Sequence, residues 1–270
     1  TYVQGPPGTG KTKTIVNTII SAFFNNRTVL LSSQNNHPVN GAFKLLTNIT
    51  VEDKTVPFPI LRLGNNEVVK RSIQYIKKLF EYTKNWTIKD KALDDFTEIK
   101  IENTANLAKY LESYEDKLDL LERKETIEDF LERNTIFDFS VNLQSKQLNT
   151  IEKEIANIED ISDEKAKSFL PNDHERFLYY LRYLSAKCIQ RLKEPKYKEL
   201  WKILELEDLD DAVKKFNQYL KDDSNLNNLL RVFPVIATTN QSAKKLGTPK
   251  IHFNLTILDE ASQCDVAMAL

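Results

Sequence analysis

Eight consecutive residues, Gly5-Pro6-Pro7-Gly8-Thr9-Gly10-Lys11-Thr12, set glycines, a lysine and a hydroxyl at the spacing G-x-x-x-x-G-K-[ST]. That combination suits an oligophosphate. Gly5, Gly8 and Gly10 permit positive φ and let backbone N–H groups approach phosphate oxygens with no Cβ between them. Lys11 supplies a mobile charge for the β- and γ-phosphates, and the Thr12 hydroxyl a ligand for Mg²⁺. A helix starting here would add the positive end of its dipole. The segment therefore reads as an ATP cradle formed by all eight residues. A second constellation, Asp259-Glu260, lies about 250 residues further along and follows the apolar run Leu255-Thr256-Ile257-Leu258. Asp259 is suited to hold Mg²⁺, and Glu260 to polarise a water attacking the γ-phosphate.

The elements that must position these groups can be read from periodicity. Ile15, Val16, Ile19, Ile20, Phe23 and Phe24 form one apolar face at helical period after the loop, and Thr1 to Gln4 offers a short strand before it. Thr28 to Ser33 reads as a buried strand, Val39 to Leu46 as a short helix, and Ile60 to Leu63 as a strand ended by Gly64. Val232 to Thr238 and Leu255 to Leu258 are two further strands. Strands alternating with helices imply an α/β fold with a parallel sheet, its ligands at the carboxyl edge of the strands.

Residues 65–230 differ in kind. They contain no glycine and little proline, and Lys, Glu, Asp, Leu and Ile dominate, which is a helical signature. Leu107, Leu111, Tyr114, Leu118 and Leu121 step by four and three, as do Leu148, Ile151, Ile155 and Ile158, a coiled-coil-like pattern. Neither stripe lasts three heptads, so short antiparallel helices in a hairpin or bundle are expected in place of a long rod. The expected domains are 1–64 with 231–270, carrying the phosphate loop, and a helical insertion over 65–230.

Composition excludes several classes. No apolar run approaches the roughly 20 residues of a membrane span, and no secretory signal is visible, so a cytoplasmic protein without membrane partners is expected. Cys188 and Cys264 suggest two free thiols, and His37, His174 and His252 are not spaced as metal ligands. The net charge of −1 confines any nucleic-acid partner to a local surface. Phe177, Tyr179, Tyr180, Tyr183 and Leu184, interleaved with Arg176, Arg182 and Lys187, can be read as a base-stacking platform. The plainer expectation is the apolar face of a helix starting near 172. The charge runs Lys77-Lys78 and Asp208 to Asp211 are expected to be solvated helix faces.

Taken together, V-Q-G-P-P-G-T-G-K-T at Val3 to Thr12, I-A-T-T-N-Q-S at Ile236 to Ser242, L-D-E-A-S-Q at Leu258 to Gln263 and L-R-L-G at Leu61 to Gly64 resemble superfamily 1 helicases of the senataxin-like and nonsense-mediated-decay branch. The resemblance implies a RecA-like first domain that binds ATP and Mg²⁺, a second RecA-like domain in the same longer chain, and single-stranded DNA or RNA across both. It implies a γ-phosphate-sensing role for Gln263 beside the catalytic Lys11 and Glu260, and backbone contacts to nucleic acid from Ser33, Asn35 and Thr238. It covers roughly 1–64 and 232–270; the middle matches the position of insertions in that branch and could carry a protein partner. The segment S-S-Q-N-N-H-P-V-N at Ser32 to Asn40 departs from the branch's usual A-P-S-N-x-A-V-D, which blurs the register of Ser33, Asn35 and Asn40. A segment of this extent, lacking the opposing arginine and a G-D-x-x-Q motif, is expected to be inactive by itself.

Other readings use the same loop. A AAA+ ATPase normally carries its acidic motif within several tens of residues. A chromosome-maintenance type ATPase places helical coils between loop and acidic motif and would be a structural DNA clamp, although Ser-Gly-Gly and C-x-x-C signatures are absent. A nucleotide-gated protein-interaction module without unwinding is the third.

Overall fold

The apolar period beginning at Ile15 produces helix α1 (Lys11–Phe24), with Ile19, Phe23 and Phe24 buried. A short connection, 25–28, reverses the chain into strand β1 (Val29–Ser33). The computed structural model describes residues 3–5, 8–88, 90–133, 139–158, 162–168, 174–248 and 250–263. After β1 come α2 (Asn36–Thr47), the short strands β2 (Thr50–Val51) and β3 (Lys54–Thr55), β4 (Ile60–Arg62) and α3 (Asn66–Thr83). Next are α4 (Asp90–Arg133), α5 (Phe139–Asn157), α6 (Asp163–Ser168) and α7 (His174–Gln190). The chain continues through α8 (Lys198–Leu204), α9 (Leu209–Tyr219), α10 (Asp223–Val232), β5 (Val235–Thr239), α11 (Asn240–Ala243) and β6 (Leu255–Asp259).

Four strands form one parallel sheet in the order β4-β5-β1-β6. Val29 lies opposite both Val235 and Leu255, so β1 pairs on each side with segments about 200 residues away. Alternation divides the side chains between two faces. Leu61 and Ile236 face the large helical core, with Leu30 packed against it, while Val29, Leu31, Ile60, Val235 and Ala237 are buried on the other face, the side of α1 and α2. Both faces are covered, as parallel sheets require. The fold is a RecA-like P-loop domain with a helical insertion.

The chain divides into two compact units, 1–89 with 175–270, and 90–174. The first takes in more helix than the sequence boundaries at 64 and 231 imply: α3, α8, α9 and α10 share one core with Leu61, Leu63 and Ile236, centred on Tyr197, Phe216 and Phe233. Strand β5 starts later than expected because Val232 closes α10 and Pro234, which has no N–H to donate, separates the two. The acidic run is the start of α9: Asp208 caps it by accepting from the amides of Asp210 and Asp211, and Asp210 meets Lys70 at 2.9 Å. Asp223, in the first turn of α10, accepts from Thr248 N–H at 2.8 Å and Thr248 Oγ1 at 2.7 Å, fixing the turn that leads toward β6. These bonds, with Lys250 nearby, pull its carboxyl pKa down to about 2.

In the second unit α4 is one helix of 44 residues, about 66 Å long at 1.5 Å per residue, in place of the short helices expected. Its span holds neither glycine nor proline to break it. Helix α5 runs antiparallel to it, since Lys124 bridges to Glu152 at 3.1 Å while the Tyr110 hydroxyl accepts from Ser162 N–H at 3.1 Å. On α5 the stripe Leu148, Ile151, Ile155 is the half-buried side. On α4 the covered side is Tyr110, Ser113, Lys117, Leu120, Lys124 and Ile127. Leu111, Tyr114, Leu118 and Leu121 flank this seam and stay exposed. Among the described residues no helix is long and apolar enough to cross a membrane. Cys188 is a buried free thiol whose pKa burial raises, and Cys264 lies outside the described residues.

Phe216→Ala should destabilise the sheet-bearing unit by about 3–5 kcal/mol in denaturant titration, the scale for a large buried ring. Asp223 has a lowered folded pKa, so its contribution is complete above about pH 4 and fades as pH falls toward 2. The difference in melting temperature between wild type and Asp223→Asn should follow that window; a difference independent of pH would contradict it.

Candidate functional site

The loop's glycines have two separate reasons to be glycine. Gly8 and Gly10 have φ of +84° and +86°, and a Cβ on either would point into open space. That is the geometry of a main chain exposing its amides to a ligand. Gly5 is not in the left-handed region expected for all three; there a Cβ would fall 2.6 Å from Thr9 Oγ1, so close packing excludes a side chain. Lys11 Nζ donates to the Gly5 carbonyl, folding the lysine across the loop. Gly10 stands at the N-cap of α1, which has no side-chain cap and no acidic residue in its first turn, leaving its amide ends and dipole for a ligand. Thr12 is half-buried in that turn. Pro6 and Pro7 lie outside the described residues. Val3 and Gln4 form no strand, contrary to expectation, and Val3 is largely exposed.

Because α1 returns through 25–28 into β1, its Lys11 end lies at the carboxyl edge of the parallel strands. The acidic pair reaches the same edge. Asp259 is the last residue of β6 and sits in register beside Ser33. Its Oδ1 accepts from Glu260 N–H at 2.9 Å. Glu260 has φ +54°, a left-handed conformation that costs a non-glycine residue about 1–3 kcal/mol, and is exposed. Gln263 ends a single 3₁₀ turn, Ala261–Gln263. Among the described residues no cluster of three or more His, Cys, Asp and Glu could hold a metal by itself. The Thr12 hydroxyl and the Asp259 carboxylate are the oxygen donors that a hard divalent cation takes, with phosphates and water completing such a shell.

Of the three residues expected to touch nucleic acid, Ser33 and Thr238 are fully buried and Asn35 is exposed. Ser33 Oγ accepts from Asn35 N–H at 3.4 Å, and Thr238 Oγ1 is enclosed without a hydrogen-bond partner. A strand on this surface would meet Asn35; the hydroxyls of Ser33 and Thr238 face inward because their strand alternation points them into the sheet's covered faces.

Arg62, the charge inside the apolar strand I-L-R-L, emerges as an organising residue. Its guanidinium donates to Asn36 Oδ1 at 2.6 Å, Asn40 Oδ1 at 3.0 Å and the carbonyls of Leu63 and Ala237. Burial pulls its pKa down to about 10. It ties the first turns of α2 to β4 and β5. In the same sheet Ser32 Oγ donates to Asn240 Oδ1, joining β1 to the start of α11 just after β5. A charged residue within an otherwise apolar strand was the sequence signal for Arg62; nothing local marked its partners Asn36 and Asn40.

A family model described as AAA domain matches residues 1–270. No curated protein matches the chain, and no solved structure does. With the phosphate loop opening α1, the acidic strand end at the same sheet edge and the match running the full length, the chain belongs to the AAA domain family of P-loop NTPases.

Proposed function

We propose that this chain binds ATP with Mg²⁺ at Gly5 to Thr12 and hydrolyses it as the first RecA-like domain of a superfamily 1 helicase or translocase. The observation that carries this reading is the loop itself: two left-handed glycines with open space over their Cα atoms, at the uncapped N-terminus of α1, on the edge where β6 ends in Asp259. Loop amides and Lys11 would hold the β- and γ-phosphates, with Lys11 leaving the Gly5 carbonyl to do so. Thr12 and Asp259 would hold Mg²⁺, which neutralises charge on the transferring phosphoryl group when bound. Glu260 would orient and deprotonate the attacking water. Gln263 would sense the γ-phosphate. Resemblance to the senataxin-like branch supports single-stranded DNA or RNA and a second RecA-like domain as partners, with Asn35 the exposed candidate for a phosphate contact.

The 44-residue α4 paired antiparallel with α5 is the feature that favours the clamp-type ATPase as a second reading. Nucleotide-dependent movement along single strands by the full-length protein separates the two, since a clamp encircles or bridges duplexes without translocating.

Lys11→Ala should weaken ATP binding by about 1.5–3 kcal/mol, the scale of a lost charge-assisted contact; unchanged affinity by calorimetry would refute the loop assignment. Glu260→Gln should keep ATP affinity and abolish turnover in the full-length protein, and surviving turnover would assign water orientation to another residue.

A further inference from the structure

The aromatic cluster of α7 divides by face. Phe177 and Tyr180 turn inward onto Phe24 of α1, with ring centroids 4.9 Å and 5.3 Å away. That half is packing. Tyr179 and Tyr183, one helical turn apart, turn the other way and stack at 6.5 Å with 19° between planes. The row continues off the helix: Tyr183 meets Trp86 at 6.4 Å, and Trp86 meets Tyr82 at 5.0 Å, both edge-on. Tyr82 is 41% exposed and the other three rings are partly exposed. All four belong to the same compact unit.

Two features set this row apart from ordinary core. It is held rigidly from behind, because Gln190 Nε2 donates to the carbonyls of Thr83 at 2.7 Å and Trp86 at 2.9 Å, and Lys193 Nζ donates to Lys84 O. It also carries cations along α7. The half-buried Arg182 guanidinium lies 3.9 Å from the Trp86 ring centroid, its Nε enclosed and without a hydrogen-bond partner, so it covers one face of that ring and leaves its terminal nitrogens as the groups a phosphate could meet. Arg176 stands one turn before Tyr179 and Lys187 one turn after Tyr183. Arg191, Lys193 and Lys84 are engaged elsewhere, with Arg231 O, Lys84 O and Glu81, so the cations beside the row are Arg176, Arg182 and Lys187 of α7, in a chain whose net charge is −1. Rings presenting π-faces, spaced by cations along one ridge, are the chemistry of a single-strand site: bases stack without regard to sequence while cations meet phosphates.

We propose that the Tyr82–Trp86–Tyr183–Tyr179 row binds single-stranded nucleic acid, with bases stacking on the rings and Arg176, Arg182 and Lys187 meeting the backbone. This rests on the helicase reading for the class of partner and adds a contact surface away from the sheet edge. An apolar protein segment would have no use for the cations.

The test is fluorescence anisotropy of the full-length protein with labelled oligouridine and oligothymidine, without nucleotide, across about 50–200 mM salt. Tyr179→Leu and Tyr183→Leu should each weaken binding about tenfold and leave the salt slope unchanged, while Tyr183→Phe keeps wild-type affinity. Arg176→Gln should reduce the slope of log K against log salt by about 0.7, one phosphate contact on a single strand. If wild type binds but these variants match it in affinity and slope, this site is overturned and the helicase reading stands. If wild type binds neither oligonucleotide, with or without ATP, both fall. Should the leucine variants unfold, the Arg176→Gln slope decides, and an unchanged slope overturns the site.

Discussion

Strand β1 has backbone donors and acceptors along both edges, and buried in a sheet covered on both faces it must pair every one of them. Its partners, β5 and β6, come from the last forty residues of the chain, and β4 adds to β5 from within the first seventy. Parallel pairing over such a separation carries a loop-closure cost that grows only slowly with length. The intervening segment can therefore be large, provided it leaves and returns near the same place. The core shared by α3 and α8 to α10 supplies that return, since Tyr197, Phe216 and Phe233 pack the two flanks of the intervening chain beneath one face of the sheet.

The same pairing assembles the site. Parallel strands put all their carboxyl ends on one edge, so Ser33 and Asp259 become neighbours although 226 residues separate them. Helix α1, running back along β1, brings its uncapped N-terminus to that edge. Arg62 and the Ser32–Asn240 bond tie the strand ends to α2 and α11 with polar contacts, the first half-buried and the second fully buried. A buried guanidinium bonded only to neutral oxygens is costly in a low-dielectric interior. Here its donors meet Asn36, Asn40 and two carbonyls, which fixes the start of α2 where its exposed N-cap, Asn35, can face a ligand.

Local chemistry was legible wherever a residue's role depends on its neighbours in sequence. The phosphate-loop pattern, the period of α1 and the strand that ends at Asp259 followed from spacing, and the helical character of the middle from composition. Pattern reading failed where tertiary packing chose between equivalent patterns. The leucine row of α4 has a heptad period, yet α5 docks beside it, so those leucines flank the seam. Val232 has strand-like neighbours but closes α10. The aromatic run of α7 read as one apolar face and is two, because Phe24 takes Phe177 and Tyr180 while Trp86 takes Tyr183.

The phosphate-loop pattern of Gly5 to Thr12, the acidic residues that end β6 and the α/β class were readable from the chain alone, since each depends on residue types at short fixed spacing. That Ser33 and Thr238 point inward while Asn35 is exposed, and that Glu260 adopts a left-handed turn, became visible in the folded arrangement. It alone drew Arg62, Asn36 and Asn40 together and aligned Tyr82, Trp86, Tyr183 and Tyr179 in one row. These depend on which face of an element is covered and on what packs there, and contacts between segments distant in the chain leave no periodic trace in either segment.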